Sequence, residues 1–364
     1  MGLKRIPLAV MGLSLVCTPL AVPPTALAQE KEPPAIDPLL APYASTKDSA
    51  RLPDGRWMHL VCMGQGSPTV ILTTGANSWG IAWSKVQPAI AAKTRVCAWD
   101  RAGFGLSTGV PKPQTVDQTT TDLQAVLAAG RIDGPYVVVG ASMGGWESLL
   151  LKDRMPSKVV GMVLVDPSFP EQNQRQDRVY SPALKAWDDS HLPPFLSVWR
   201  KCAAALRAGT LRPGAPDPDR CLSAPKPPPT YPPELAAALD KARAERTPEI
   251  RAATLEGMLA GAELNAINSK VTIKPNRNYG NMPLIVLTAQ QVGGVPGIPA
   301  DLQPDAALMT AEWRKGHKEL AALSTRGEDR IIEGAPHDIA SAKPQVVIDA
   351  IDQVVGEVRA SRPR

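Results

Sequence analysis

From Arg51 to Asp166 the chain alternates between short runs dense in Val, Ile and Leu and longer stretches whose apolar residues recur every three or four positions. The runs "WMHLVCM", "TVILTTG", "RVCAW", "YVVVG" and "VVGMVLVD" predict strands. Between them "WSKVQPAIAAK", "VDQTTTDLQAVLAAG" and "GGWESLLLKDRM" predict helices, the second ending at Gly130. Strands that read as nearly continuous apolar runs suit a sheet covered on both faces, so the alternation predicts an α/β fold with a mostly parallel central sheet flanked by helices.

That rhythm stops after Asp166 and returns with the strand "PLIVLTA" at 283–289, the helix "DAALMTAEWRKGHKELAALS", the strand "DRIIEG" and a last amphipathic helix, "PQVVIDAIDQVVGEVRA". The intervening segment is too long for a loop. It contains helical patterns on either side of nine prolines between Pro213 and Pro233, which predicts an inserted helical cap with a stiff crossing. The expected organisation is a core over 51–167 and 282–364 with a cap over 168–281. Residues 29–50, rich in proline and without a clear period, are expected to form an irregular arm.

The first 28 residues carry a basic start at Lys4 and Arg5, an apolar stretch and a small-residue "ALA" before Gln29. This is the layout of a secretory signal peptide, and its prolines and short length argue against a spanning helix. The expected mature protein is exported, to a periplasm or beyond, without stable membrane insertion. Loss of the leader lowers the net charge of +5 by two. So small an excess, with no Lys/Arg run, gives no reason to expect a nucleic-acid partner. The mature chain keeps Cys62, Cys97, Cys202 and Cys221, an even number that in an exported protein predicts two disulfides. No metal is expected, because no two cysteines have ligand spacing and the four histidines are scattered.

The chemistry begins at "YVVVGASMGGWE", where Ser142 stands in G-x-S-x-G between a strand and a helix. Glycines at 140 and 144 permit the tight turn that lifts a nucleophile clear of the sheet, and the helix start places main-chain N–H groups beside it. Such a serine needs a base. His59, His191 and His317 fall in a strand, the cap and a charged helix, whereas His337 follows the strand "DRIIEG" at the carboxyl edge of the sheet, where catalytic groups of open α/β sheets gather. Asp166 ends "MVLVD" on that same edge and is favoured as the acid that orients the imidazole; Asp301, the first carboxylate after "PLIVLTA", is the alternative. The turn "TTGANSWG" can present the N–H of Ala76 opposite that of Met143, giving a two-donor oxyanion hole.

The segments "PTVILTTG", "RVCAWDRAGFGLS", "GASMGGWES", "GMVLVDPSFP", "PLIVLTA" and "GAPHDIA" together resemble the α/β-hydrolase superfamily over nearly all of residues 52–358. The resemblance implies an α/β-hydrolase fold and a Ser-Asp-His order of catalytic residues, and it gives Asp100 and Arg101 structural roles in the turn after the fourth strand. It also implies that the strands of Cys62 and Cys97 lie side by side, so that a bridge between them is possible. Cys202–Cys221, flanking a short loop in the cap, is the preferred bridge. Two departures are Ala141, where many relatives carry His, and the lack of a carboxylate directly after the penultimate strand. A serine at 142 disfavours the aspartate-nucleophile branches.

The expectation is therefore a serine hydrolase that needs no cofactor and cleaves a small carboxylic ester through an acyl-enzyme intermediate. A peptidase-like or carbon–carbon-bond hydrolase and a noncatalytic binding protein are the alternatives. Trp79, Trp83, Trp187, Phe195 and Trp199 are expected to line the pocket.

Overall fold

The computed structural model describes residues 34–191, 194–211, 214, 216–222, 226–259, 262–290 and 298–361. The expected leader lies outside them, as do part of the proline-rich crossing and residues 291–297.

A two-stranded ribbon, β1 (Ala50–Arg51) against β2 (Trp57–Met58), precedes a seven-stranded sheet. The sheet strands are β3 (Leu60–Met63), β4 (Thr69–Thr73), β5 (Val96–Trp99), β6 (Tyr136–Ala141), β7 (Val159–Val165), β8 (Leu284–Ala289) and β9 (Gly327–Ile332). They lie in the order β3-β5-β4-β6-β7-β8-β9. Only β3 runs antiparallel to its neighbour; the remaining pairings are parallel.

The apolar runs fill both faces because successive side chains point to opposite sides. Val70, Leu72, Val137, Val139 and Val163 pack on one face with Val347, Ile351 and Val354 of the last helix. Ile71, Val138, Leu164 and Val286 pack on the other with Leu123, Leu149 and Leu320. Complete burial of each such side chain stabilises by about 1.5–3 kcal/mol, which sets the strand register firmly.

Helices α1 (Gln87–Ala91), α2 (Val116–Ala129) and α3 (Gly144–Arg154) follow the first sheet strands. The start of α2 is fixed by a capping box in which the Thr115 side chain accepts from the Gln118 N–H and the Gln118 side chain accepts from the Thr115 N–H; Gly130 caps its end. Between β7 and β8 come α4 (Gln172–Val179), α5 (Pro182–Ser190), α6 (Pro194–Arg207), α7 (Pro233–Ala244), α8 (Pro248–Leu259) and α9 (Ala262–Val271). Helices α10 (Gln303–Ala321), α11 (Ile339–Ala342) and α12 (Pro344–Ala360) complete the core. No helix among the described residues is long and apolar enough to cross a membrane.

Two disulfides are present among the described residues. Cys202 joins Cys221 within the helical insertion, and Cys62 joins Cys97 directly across the β3–β5 pairing. One expectation needs correction in part: the arm is not irregular throughout. Residues Pro38–Ala44 form a 3-10 helix, and Tyr43 is fully buried with its hydroxyl donating to Gln87 Oε1 at 2.6 Å. The prolines that hide a helical period preset the tight turn, and Leu40 and Tyr43, three residues apart, provide its buried face.

Candidate active site

Ser142 occupies the turn between β6 and α3 with φ of 50°, in the left-handed region that a non-glycine residue enters only when its surroundings hold it there. The restraints are visible. The Ser142 N–H donates to Val165 O at 3.1 Å, and its carbonyl accepts from Gly145 and Ser168, both at 2.8 Å. A Cβ on Gly140 would stand 2.3 Å from Gly144 O and from Ser148 Oγ, so the tight turn excludes any side chain there. Asp166, at the end of the adjacent strand β7, is also left-handed, with φ of 42°.

Asp166 is 1% exposed, yet each of its oxygens is engaged. Oδ1 accepts from the Ala289 N–H at 2.9 Å and from Trp313 Nε1–H at 3.0 Å, and Oδ2 lies 2.5 Å from His337 Nδ1. Burial pushes its carboxyl up, but the His337 hydrogen bond, the charges of His317 and His337 and the Ala289 amide outweigh that, and it lies below the ordinary carboxylate value. The same hydrogen bond holds the His337 imidazole above its ordinary value against the opposing effect of burial. The His337 side chain is 48% exposed, and its ring stands edge-on to Trp313.

Ser142 and His337 line one cavity together with Ala76, Met143, Trp146, Asn173 and Trp313. Gly75 comes so close to the serine that an added Cβ would sit 3.4 Å from Ser142 Cβ. Among the described residues, neither the Ala76 nor the Met143 N–H takes part in the main-chain hydrogen bonds outside helices and strands. Trp146 Nε1 and Asn173 Oδ1 are likewise buried without a partner, a donor and an acceptor on residues of the cavity wall. A second crevice starts at Ala76 and Met143 and reaches Gln114 and Asn268.

Beneath the Ala76 turn lies an ion pair that sequence reading does not reveal. Arg101 Nε and Nη2 bind Glu147 Oε1 and Oε2 at 2.6 and 2.7 Å, with both side chains almost completely buried. Arg101 also donates to Thr74 O at 2.5 Å, Gly75 O at 2.8 Å and, at longer range, the Thr74 and Thr73 hydroxyls, while Thr73 and Thr119 hydroxyls donate to the Glu147 carboxylate. Asp100 accepts from the Gly80 and Leu106 N–H groups and lies 2.7 Å from His59 Nδ1.

Asp301 sits exposed in the 3-10 turn Ala300–Leu302. His317 is fully buried, its Nε2 2.8 Å from Pro167 O and its Nδ1 2.8 Å from Thr288 Oγ1. Burial lowers its pKa against the opposing charge of Asp166, whose Oδ1 lies 3.8 Å from its Nδ1. The expected aromatic lining is corrected: none of Trp79, Trp83, Trp187, Phe195 or Trp199 lines the Ser142 cavity. Trp83 is core, Trp187 stacks on His191 and Phe195 packs on Trp199. Trp146 and Trp313 line it instead, from helices α3 and α10.

An open, mostly parallel sheet with a left-handed serine turn and an aspartate–histidine pair at its carboxyl edge is the architecture of the α/β hydrolases. The profile of the alpha/beta hydrolase family matches residues 66–350, and the chain belongs to that family. Over 132 residues it is 30% identical to "Lipase LipV" of Mycobacterium tuberculosis, covering 36% of this chain and 49% of that one. Over 81 residues it is 40% identical to "Uncharacterized protein C23C11.06c" of Schizosaccharomyces pombe, covering 22% and 15%. The match thus spans less than half the length of either relative. The solved structure of DBJA, at 15% identity, superimposes with a TM-score of 0.57 over 87% of this chain and 98% of that one, a likeness of fold.

Proposed function

We infer that the protein is an exported serine hydrolase acting on carboxylic esters. The observation that carries the reading is the Asp166–His337 hydrogen bond, made by a histidine that shares a cavity wall with Ser142. Asp166 stays ionised and fixes the imidazole with its proton on Nδ1, leaving Nε2 bare as the base. Ser142 Oγ attacks the acyl carbon as its proton passes to His337, and the carbonyl oxygen becomes an anion between the N–H groups of Ala76 and Met143. Collapse expels the alcohol, which takes the proton from the imidazolium. Water then repeats the sequence, with His337 as base, and releases the acid and the free serine.

Arg101 acts here through the main chain. By holding the carbonyl of Gly75 it turns the other side of that planar peptide, the Ala76 N–H, the opposite way, toward the cavity. An ester is favoured over an amide because an alkoxide leaves more readily than an amine. Gln172 and Asn173 of α4, the first helix between β7 and β8, line the site, and the two disulfides support export from a reducing compartment. Comparison of turnover on p-nitrophenyl esters and on aminoacyl anilides tests the bond type. Ester cleavage that disappears in Ser142→Ala is expected; anilide cleavage without ester cleavage would reject the assignment.

A further inference from the structure

A second cavity, of about 470 Å³, lies within the helical insertion and shares no lining residue with the Ser142 cavity. Its size is that of a small-molecule site. Its lining is in part apolar, with Trp199 of α6 and Leu255 and Met258 of α8, and in part cationic, with Arg220, Arg243, Arg246 and Arg251. Among its described lining residues Asp219 is the only carboxylate.

The arginines are not placed there by ion pairing alone. Arg251 spends its donors on carbonyls, at Arg243 O (2.7 Å), Arg246 O (3.2 Å) and Leu222 O. Arg246 gives one donor to Gly105 O at 3.0 Å, and its Nε is buried with no partner among the described residues. Burial and the charges of Arg243 and Arg251 lower the Arg246 pKa to about 10. A guanidinium crowded by like charges and short of one hydrogen bond is costly unless an anion completes it. The apolar residues of the same lining favour a ligand with a hydrocarbon body over a bare hydrated ion.

We propose that this cavity binds an amphiphilic carboxylate, its headgroup on Arg246 and Arg220 and its hydrocarbon body against Trp199, Leu255 and Met258. This site does not rest on the proposed catalytic reading, although Thr254 lines both this cavity and the crevice that starts at Ala76 and Met143. Calorimetric titration of the protein with sodium 4-phenylbutyrate tests this, with 4-phenyl-1-butanol and sodium sulfate as the uncharged and the purely ionic controls.

Phenylbutyrate is expected to bind at least about tenfold more tightly than either control, the range a charge-assisted hydrogen bond provides. Arg246→Gln and Trp199→Ala should each weaken it by about tenfold. Arg220→Gln, an exposed substitution that leaves every carbonyl contact in place, should weaken it while ester turnover stays at the wild-type level. Ser142→Ala should bind as the wild type does, whether or not that serine is catalytic. Equal binding of the alcohol or of sulfate, absence of binding, or an affinity unchanged in Arg220→Gln and Trp199→Ala would overturn the proposal. So would loss of binding in Ser142→Ala, which would place the ligand in the other cavity.

Discussion

The guanidinium of Arg101 donates to the carbonyl oxygen of Gly75 at 2.8 Å, and the N–H on the far side of that same peptide belongs to Ala76. A residue just past the end of β5 therefore sets the direction of the N–H of Ala76, which lines the same cavity as Ser142.

Replacing Arg101 by Met should lower kcat by about 100-fold with a much smaller change in KM, because the released peptide loses a donor that matters most once the oxyanion forms. It also strands Glu147, 0% exposed, without its cation, which should lower stability by about 3–5 kcal/mol. Steady-state kinetics and chemical denaturation separate the two effects. The double variant Arg101→Met with Glu147→Leu should recover much of the stability and little of the turnover; recovery of both would make the arginine purely structural.

The pH dependence follows from the signs at the proposed triad. His337 must be neutral to accept the serine proton, and Asp166 holds its pKa above the ordinary 6.5. Activity should therefore rise with pH through that raised value, with the acid limb of kcat/KM centred above 6.5. Asp166→Asn should cut kcat by about 10,000-fold and move the limb downward, since the ring loses its anionic partner and favours the wrong tautomer. A limb at or below 6.5 in the wild type, measured on a neutral ester, would contradict this.

Packing behind the aspartate gives a stability test. A Cβ on Gly316 of α10 would lie 2.6 Å from three atoms of the Phe169 ring, which is 1% exposed and follows Asp166 by three residues. Overpacking of this kind costs about 1–3 kcal/mol, more than the gain of about 1 kcal/mol in helix propensity from Gly to Ala. Gly316→Ala should therefore be less stable in denaturant titration, and Phe169→Leu in the same chain should restore part of the loss.

Much of this architecture is legible in the sequence, for physical reasons that also explain what is not. Runs such as "TVILT" and "YVVVGA" announce a sheet buried on both faces because few other environments accept so many β-branched residues in a row. Glycines around Ser142 announce a turn too tight for side chains. The partners of polar groups are a different matter. The sequence places His317 in a charged helix, and nothing in that pattern says that the Trp313 ring nitrogen reaches Asp166. Nothing in the sequence marks Glu147 as buried; the arrival of Arg101, from just past a distant strand, makes its burial tolerable. The aromatic lining was misassigned for the same reason: Trp83 fills the core beside Val86 and Ile90, and composition does not distinguish such a ring from a pocket wall.

The most direct measurement is covalent. An alkyl fluorophosphonate, displaced at phosphorus by an activated serine oxygen, should label the wild-type chain at the peptide containing Ser142, with no labelling in Ser142→Ala and severely slowed labelling in His337→Ala. Mass spectrometry that finds no adduct at Ser142 on a folded protein, or an equal rate of labelling with and without the imidazole of His337, would contradict the account.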